Sequence, residues 1–221
     1  MAELWRNRAG NQRALVGVVR PTTEHEVCRI VSEVAERGGH VKAAGAGHSF
    51  SDVGLTDGTM VSLQDYGRVL TFDPDAALVT VQAGARLHEL SRYLWTRGFA
   101  LAGLDDLGSR SIAGATSTAS HGTGASFPNI SAGIAAMRIV DGAGEVHDAS
   151  PEGDRELFDV GRVGLGALGI VSTVTLKVVP AFNLRTAEEQ RRFVDVAGSF
   201  PDLVGNNDHF EFVHMPHPPG C

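Results

Sequence analysis

His40-Val41-Lys42-Ala43-Ala44-Gly45-Ala46-Gly47-His48-Ser49-Phe50 is the stretch whose reading decides the fold. Val41 to Ala44 reads as a short strand, and Gly45-Ala46-Gly47 as a tight turn at its end. Glycines let a backbone wrap closely around an anionic group, and His48 puts a nucleophilic ring nitrogen at the same place. No Gly-Lys-Ser/Thr follows, so this is not a P-loop, and Phe50 stands where a dinucleotide-binding turn needs its third glycine. Two readings stay open on these residues alone. One is a nest of N–H groups suited to a pyrophosphate, with His48 against the ligand; the other is a plain strand-to-loop turn with a satisfied surface histidine.

Working outward, Val16-Gly17-Val18-Val19 reads as a strand that stops at Pro21. Thr23 to Glu26 forms a capping box that opens a helix with Val27, Ile30, Val31 and Val34 on its apolar face, and Gly38-Gly39 ends it. The first unit is therefore β-α-β. Short strands follow at Met60–Leu63, Val69–Phe72 and Leu78–Ala83, and Leu87, Leu90 and Leu94 recur at helical spacing up to Gly98. Ala136–Val140 and Glu145–His147 flank an Asp141-Gly142 hairpin turn, Pro151 to Phe158 starts a short helix, and Ile170–Val179 is a long alternating strand. The remaining residues read as a polar, helix-like piece and then a strand, Phe210–Val213. This is an α+β pattern without internal repeats.

From Gly103 to Gly133 the texture changes to small residues, among them Ser109, Ser111, Gly114, Thr118, Ser120, His121 and Gly122. So little bulk cannot build a core, and a loop this long is usually functional, so the stretch reads as backbone lining a ligand. The 27 glycines in 221 residues, well above the usual ~7%, fit the same picture.

Composition narrows the class. An apolar fraction of 43% with 20% charged residues is that of a soluble globular chain, and a net charge of −7 argues against a nucleic-acid partner. Phosphate recognition would then come from backbone N–H groups rather than massed cations. Cys28 and Cys221 are too few for a disulfide framework, which makes a reducing compartment the default; Cys28 falls on the apolar helical pattern and is expected in the core. The N-terminus has no secretion signature, and no stretch reaches the roughly 18 apolar residues of a membrane span. A cytoplasmic location follows as the expectation, with peripheral membrane association left open.

Other candidate sites are weaker. Gly164-Leu165-Gly166-Ala167-Leu168-Gly169 matches G-x-G-x-x-G, but it runs into a β-branched strand instead of opening a helix, which argues against a nicotinamide site. His121 is a proton-transfer candidate set against a histidine held by backbone bonds. Ser49, His121 and Asp141 could be imagined as a hydrolase triad, without any G-x-S-x-G elbow. His209, His214, His217 and Cys221 have a spacing a metal could use, but their Pro-rich setting offers no scaffold, so no metal is expected.

Taken together and in order, several motifs resemble the N-terminal half of the sugar-1,4-lactone oxidases, the gulonolactone and arabinonolactone group of the vanillyl-alcohol-oxidase (PCMH) type of FAD-linked flavoproteins. They are Pro21-Thr22, Gly45–Phe50, Val81-Gln82-Ala83-Gly84, Ser111-Ile112-Ala113-Gly114-Ala115, His121-Gly122-Thr123-Gly124 and Leu165–Val171. The resemblance implies an α+β FAD-binding domain of two subdomains with FAD between them. It implies FAD contacts at Ala44, Gly45, Ala46, Gly47, His48, Ser49, Ser111, Gly114, Thr118, Ser120, His121, Gly122 and Ile170. His48 matches the histidine bonded covalently to the flavin in many members, where it would tune electron transfer rather than act as a base.

The same resemblance implies an FAD-linked oxidoreductase acting on a CH–OH donor, a sugar lactone, with electrons passing to oxygen or another acceptor. It divides the chain into an FAD-binding domain, 1–182, with subdomains of about 12–72 and 73–182, and a start of a substrate-binding domain, 183–221. Members continue past this point to a His-Trp-x-Lys segment, so catalytic residues are expected outside this sequence and most of the substrate domain is absent from it. Two further readings accompany the first: a non-catalytic FAD-binding fragment or partner subunit, and an FAD-linked alditol oxidase.

Overall fold

In the computed structural model, residues 2–104 and 108–216 are described. The chain opens with a hairpin of β1, Ala2–Arg6, and β2, Arg13–Val19. Helix α1, Glu24–Glu36, starts on the expected capping box: Glu26 N–H donates to Thr23 Oγ1 at 3.2 Å and the Glu26 carboxylate accepts from Thr23 N–H. That carboxylate also accepts the Thr22 N–H, which holds its pKa below the ordinary 4.5. Gly38, at φ +67°, ends the helix. β3, Val41–Ala44, and β4, Thr59–Ser62, complete a four-stranded sheet in the order β1-β2-β4-β3. The β-α-β unit is present, but β4 is inserted between its two strands and pairs parallel with both.

A second sheet takes β5, Val69–Asp73; β6, Leu78–Gln82; then, after α2, Leu87–Trp95, β7, Phe99–Ala100, and α3, Ile112–Ser117, the hairpin of β8, Ile134–Val140, and β9, Val146–Ala149. Helix α4, Arg155–Gly161, precedes β10, Ile170–Lys177, which lies between β6 and β8 in the antiparallel order β5-β6-β10-β8-β9. β11, Val179–Pro180, pairs with β7, and α5, Phe193–Gly198, and α6, Phe200–Gly205, follow. The break between the sheets falls between Ser62 and Val69, so Val69–Phe72 pairs with the second sheet and not with the first unit.

The two sheets share one core. Val27 and Val31 of α1 are buried together with Val79 and Val81 of β6 and Val174 of β10. Polar contacts fix the same interface: Ser172 Oγ donates to Glu24 at 2.6 Å, Arg138 pairs with Glu24 at 2.7 Å, and Ser32 Oγ donates to the Ala143 carbonyl in the β8–β9 turn. Cys28 is half-buried against this core, and burial raises its thiol pKa, keeping it protonated.

At the end of β6 the chain meets three other segments, mostly backbone on backbone. Gln82 N–H donates to Arg68 O while its side-chain Oε1 accepts the Arg68 N–H, Gly84 N–H donates to Tyr66 O at 2.9 Å, and Ala83 N–H donates to Ser172 O at 2.9 Å. On the other side Ile112 N–H donates to Ala85 O and Ala113 N–H to Ala83 O, both at 2.8 Å. Burial pushes the Tyr66 phenol up to about 12, so the ring beneath this crossing is neutral. The small residues after Ser111 are explained here, since bulk could not enter so close an approach. The stretch from Gly103 to Gly133 is therefore not one long loop: it holds α3 and a 3-10 turn at Ile130–Gly133. Residues 105–107 of it lie outside the described residues.

Phe210–Val213 is irregular rather than a strand. Its aromatic residues pack on their neighbours instead, Phe210 edge-on against Phe200 at 5.9 Å and Phe212 near Phe193 at 6.3 Å. A strand needs a partner edge, and these residues meet helices.

A Cβ on Gly84 would run into the Leu63 carbonyl oxygen, which is backbone and cannot swing away. Gly84→Ala is therefore expected to destabilise the fold by about 3 kcal/mol. Gly133→Ala, where a Cβ meets nothing within 4 Å, should change stability by less than about 0.5 kcal/mol. Thermal unfolding followed by circular dichroism checks the pair, and equal effects would count against the crossing as the constraint.

Candidate functional site

The Gly45–Phe50 turn leaves β3 with its carbonyls turned to the β1–β2 loop. Arg8 N–H donates to Gly47 O at 2.7 Å, Asn7 Nδ2 to Ser49 O at 2.9 Å, and Asn11 Nδ2 and Gln12 Nε2 to Phe50 O at 2.9 and 3.2 Å. Gly47 has φ +68°, a conformation that glycine adopts without strain. Among the described residues, the N–H groups of Ala46, Gly47 and Ser49 donate to no protein acceptor. The turn thus spends its acceptors on the protein and keeps its donors, the arrangement of an anion-binding nest.

A second wall meets the turn. A Cβ on Gly45 would run into Ser111 Oγ, and Gly114 Cα lies 3.8 Å from that position. Ser111 is the N-cap of α3, its side chain accepting the Gly114 N–H. His48 Nε2 lies 3.0 Å from Ser109 Oγ, which also accepts from Arg8 Nη1 at 3.2 Å. Arg110 donates to Ser120 Oγ at 2.6 Å, and Thr118 Oγ1 donates to Gly114 O at 2.8 Å. Thr118 and His121 are exposed, with the His121 ring against its neighbour's carbonyl, Gly122 O, at 3.0 Å.

The structure therefore brings Gly45 and His48 together with Ser109, Ser111 and Gly114. Ala44 is buried at the end of β3, below the turn. Ile170 is buried at the start of β10 opposite Val140, and its packing is with the common core. Asn7 and Arg8 are the positioning residues that sequence reading missed, whereas Ser109 was read only as part of the small-residue lining and not as a partner of His48. No motif marks them; the only trace is their clustering of amides and a guanidinium in a loop between strands.

The hydrolase triad is not assembled. Asp141 Oδ2 binds His147 Nε2 at 2.8 Å, while His121 engages Gly122. The Gly164–Gly169 run leads into β10 as a loop, and a Cβ on Gly169 would strike the Val140 carbonyl, so that glycine serves packing. His209 stacks on Phe127 with ring centroids 4.5 Å apart and bonds Thr123 O at 2.9 Å, and His214 packs on Phe193. Both imidazoles thus serve the fold, and His217 and Cys221 lie outside the described residues.

Two clefts lie elsewhere. One, of about 370 Å³, runs beside α1 past Arg20, Glu26 and Arg37; a more apolar one, of about 430 Å³, is lined by Trp95, Phe99, Phe182 and His209. Neither includes the glycine turn.

A family profile described as an FAD binding domain matches residues 16–150. The chain belongs to this FAD-binding-domain family. The chain is 43% identical over 218 residues to the L-gulono-1,4-lactone dehydrogenase of Mycobacterium tuberculosis, covering 98% of this chain and 50% of that protein. It is 38% identical over 206 residues to the D-arabinono-1,4-lactone oxidase of Eremothecium gossypii, 91% of this chain and 39% of the relative. With the L-gulonolactone oxidase of Scyliorhinus torazame it shares 32% over 197 residues, 89% and 45% respectively. The chain thus spans half or less of the length of each of these relatives. The α+β architecture agrees with the family, and the open N–H groups beside a glycine wall fit the pyrophosphate of FAD. Among the described residues no helix is long and apolar enough to cross a membrane.

Two predictions follow from this geometry. Asn7 is 5% exposed and holds both Ser49 O and, through Oδ1, the Gln12 N–H. Asn7→Ala leaves those groups unmatched and is expected to cost about 1–3 kcal/mol in urea unfolding; no loss would mean that the turn is held otherwise. The bond to Asp141 raises the His147 pKa above its ordinary 6.5, and the bond to His147 lowers that of Asp141 below 3.8. The imidazolium's contribution is complete below the unfolded histidine's pKa and is lost as pH rises through the raised folded value; the carboxylate's is lost as pH falls through its depressed one. An NMR titration should place His147 above 6.5 and Asp141→Asn should bring it back.

Proposed function

We propose that this chain is the FAD-binding part of an oxidoreductase that oxidises a sugar-1,4-lactone at a CH–OH group, passing electrons to oxygen or another acceptor. The observation that carries this reading is the similarity along nearly the whole chain to a lactone dehydrogenase and to lactone oxidases, at 43%, 38% and 32% identity. FAD, when bound, supplies the acceptor for the hydride lost from the substrate carbon. The N–H groups of Ala46, Gly47 and Ser49 hold the pyrophosphate, and Gly45, Ser111 and Gly114 give the bare wall against which the cofactor lies. Thr118, Ser120, His121 and Gly122 extend that wall, Ala44 and Ile170 back it from the core, and His48 is the point of covalent attachment. Residues 1–182 act as the FAD-binding domain and 183–221 begin the substrate-binding part, with catalytic groups for the lactone supplied from outside this sequence.

The chain produced with FAD available is expected to absorb near roughly 450 nm, as a bound flavin does. Acid precipitation should leave the yellow colour in the pellet, and His48→Ala should release it to the supernatant. A colourless protein would overturn the cofactor assignment in this chain, and a variant that keeps its flavin through acid would overturn the tether. Bleaching of the bound flavin by L-gulono-1,4-lactone or D-arabinono-1,4-lactone, and not by alditols, is the substrate test, for which a polypeptide spanning the full length of the relatives is the proper sample.

A further inference from the structure

Ser109 is fixed from several sides. The carbonyls of Gly108 and Arg110 accept from the N–H groups of His88 and Leu87 in the first turn of α2, at 2.9 and 3.0 Å. Those N–H groups have no partner inside a helix, so the segment is held where α2 begins. Arg86 Nη1 donates to the Ser109 carbonyl at 3.1 Å. With both neighbours tied to α2, the Ser109 hydroxyl reaches His48 Nε2 at 3.0 Å and accepts Arg8 Nη1 at 3.2 Å. Arg8 is itself anchored to the glycine turn by its N–H on Gly47 O. The three side chains thus form a chain of hydrogen bonds from the β1–β2 loop, through the segment docked on α2, to the imidazole.

We propose that Ser109, braced by Arg8, is a positioning residue that holds the His48 ring for its bond to the flavin. This rests on the reading of His48 as the tether. Overall, the tether forms one C–N bond and loses one C–H of the flavin methyl group and one imidazole N–H; the two hydrogens leave with oxygen as hydrogen peroxide. Bond formation needs a ring held at a fixed angle, and an imidazole left free to turn about its side-chain torsions meets that geometry rarely. A hydroxyl that accepts from a guanidinium while bonded to Nε2 supplies a fixed point on the ring edge.

The test uses the full chain with FAD and follows acid-stable flavin against total bound flavin over time. Ser109→Ala is expected to slow attachment about tenfold while total FAD bound stays as in the wild type, and Ser109→Thr, which keeps the hydroxyl, should restore the rate. Independently of flavin, nitrogen-15 NMR of labelled histidine should show the His48 Nε2 signal displaced in Ser109→Ala and unmoved in Ser109→Thr. Attachment at the wild-type rate with an unchanged Nε2 signal would overturn the proposal. So would an equal loss of bound FAD and attachment, which marks a structural role. If the wild type forms no acid-stable flavin, the tether reading fails, and the Nε2 signal alone decides whether Ser109 holds the ring.

Discussion

The constraint on which the rest depends is the crossing of four backbone segments at the end of β6. Gln82 to Ala85 bonds on one side to Tyr66 and Arg68 and on the other to Ile112 and Ala113, while Ala83 also takes the carbonyl of Ser172 in β10. Bonds this dense require that no side chain intervene, and Gly84 has none to place against Leu63 and Tyr66. The crossing joins the exit of the first sheet to the second sheet. It also fixes where α3 begins.

From that fixed point the site assembles with little freedom. Ser111 starts α3 beside the crossing, so its hydroxyl lies where Gly45 must pass without a Cβ. The common core under α1 sets the approach of the two sheets, with Glu24 taking Ser172 and Arg138 from the second. The β1–β2 loop then captures carbonyls of the glycine turn, and the N–H groups of Ala46, Gly47 and Ser49 are left without a protein acceptor among the described residues. The open donors of the turn are a consequence of which half of each peptide the protein itself uses.

Much of the local structure was legible in order. The capping box at Thr23, the glycine stop after α1, the alternating strand into β10 and the hairpin at Asp141 appear where periodicity and turn chemistry put them. Errors arose where pairing, not propensity, decides. Val69–Asp73 joined the second sheet because β6 is its partner, and Phe210–Val213 found rings in place of a strand edge. Small residues after Ser111 looked like a loop because a short helix pressed against backbone needs the same residues. The three residues that set the turn, Asn7, Arg8 and Ser109, bond to Ser49, Gly47 and His48 across dozens of positions, beyond the reach of a local pattern.

The sequence by itself determined the α+β class, the glycine turn with its histidine, and through ordered motifs the FAD-binding family. These are carried by residue types at short spacing, which a linear pattern records. The tertiary structure decided which groups of that turn stay open, that Ser109 and Arg8 reach His48, and that Ser49, His121 and Asp141 do not form a triad. Those outcomes depend on hydrogen bonds across dozens of residues, whose partners are chosen by the packing of two sheets on one core.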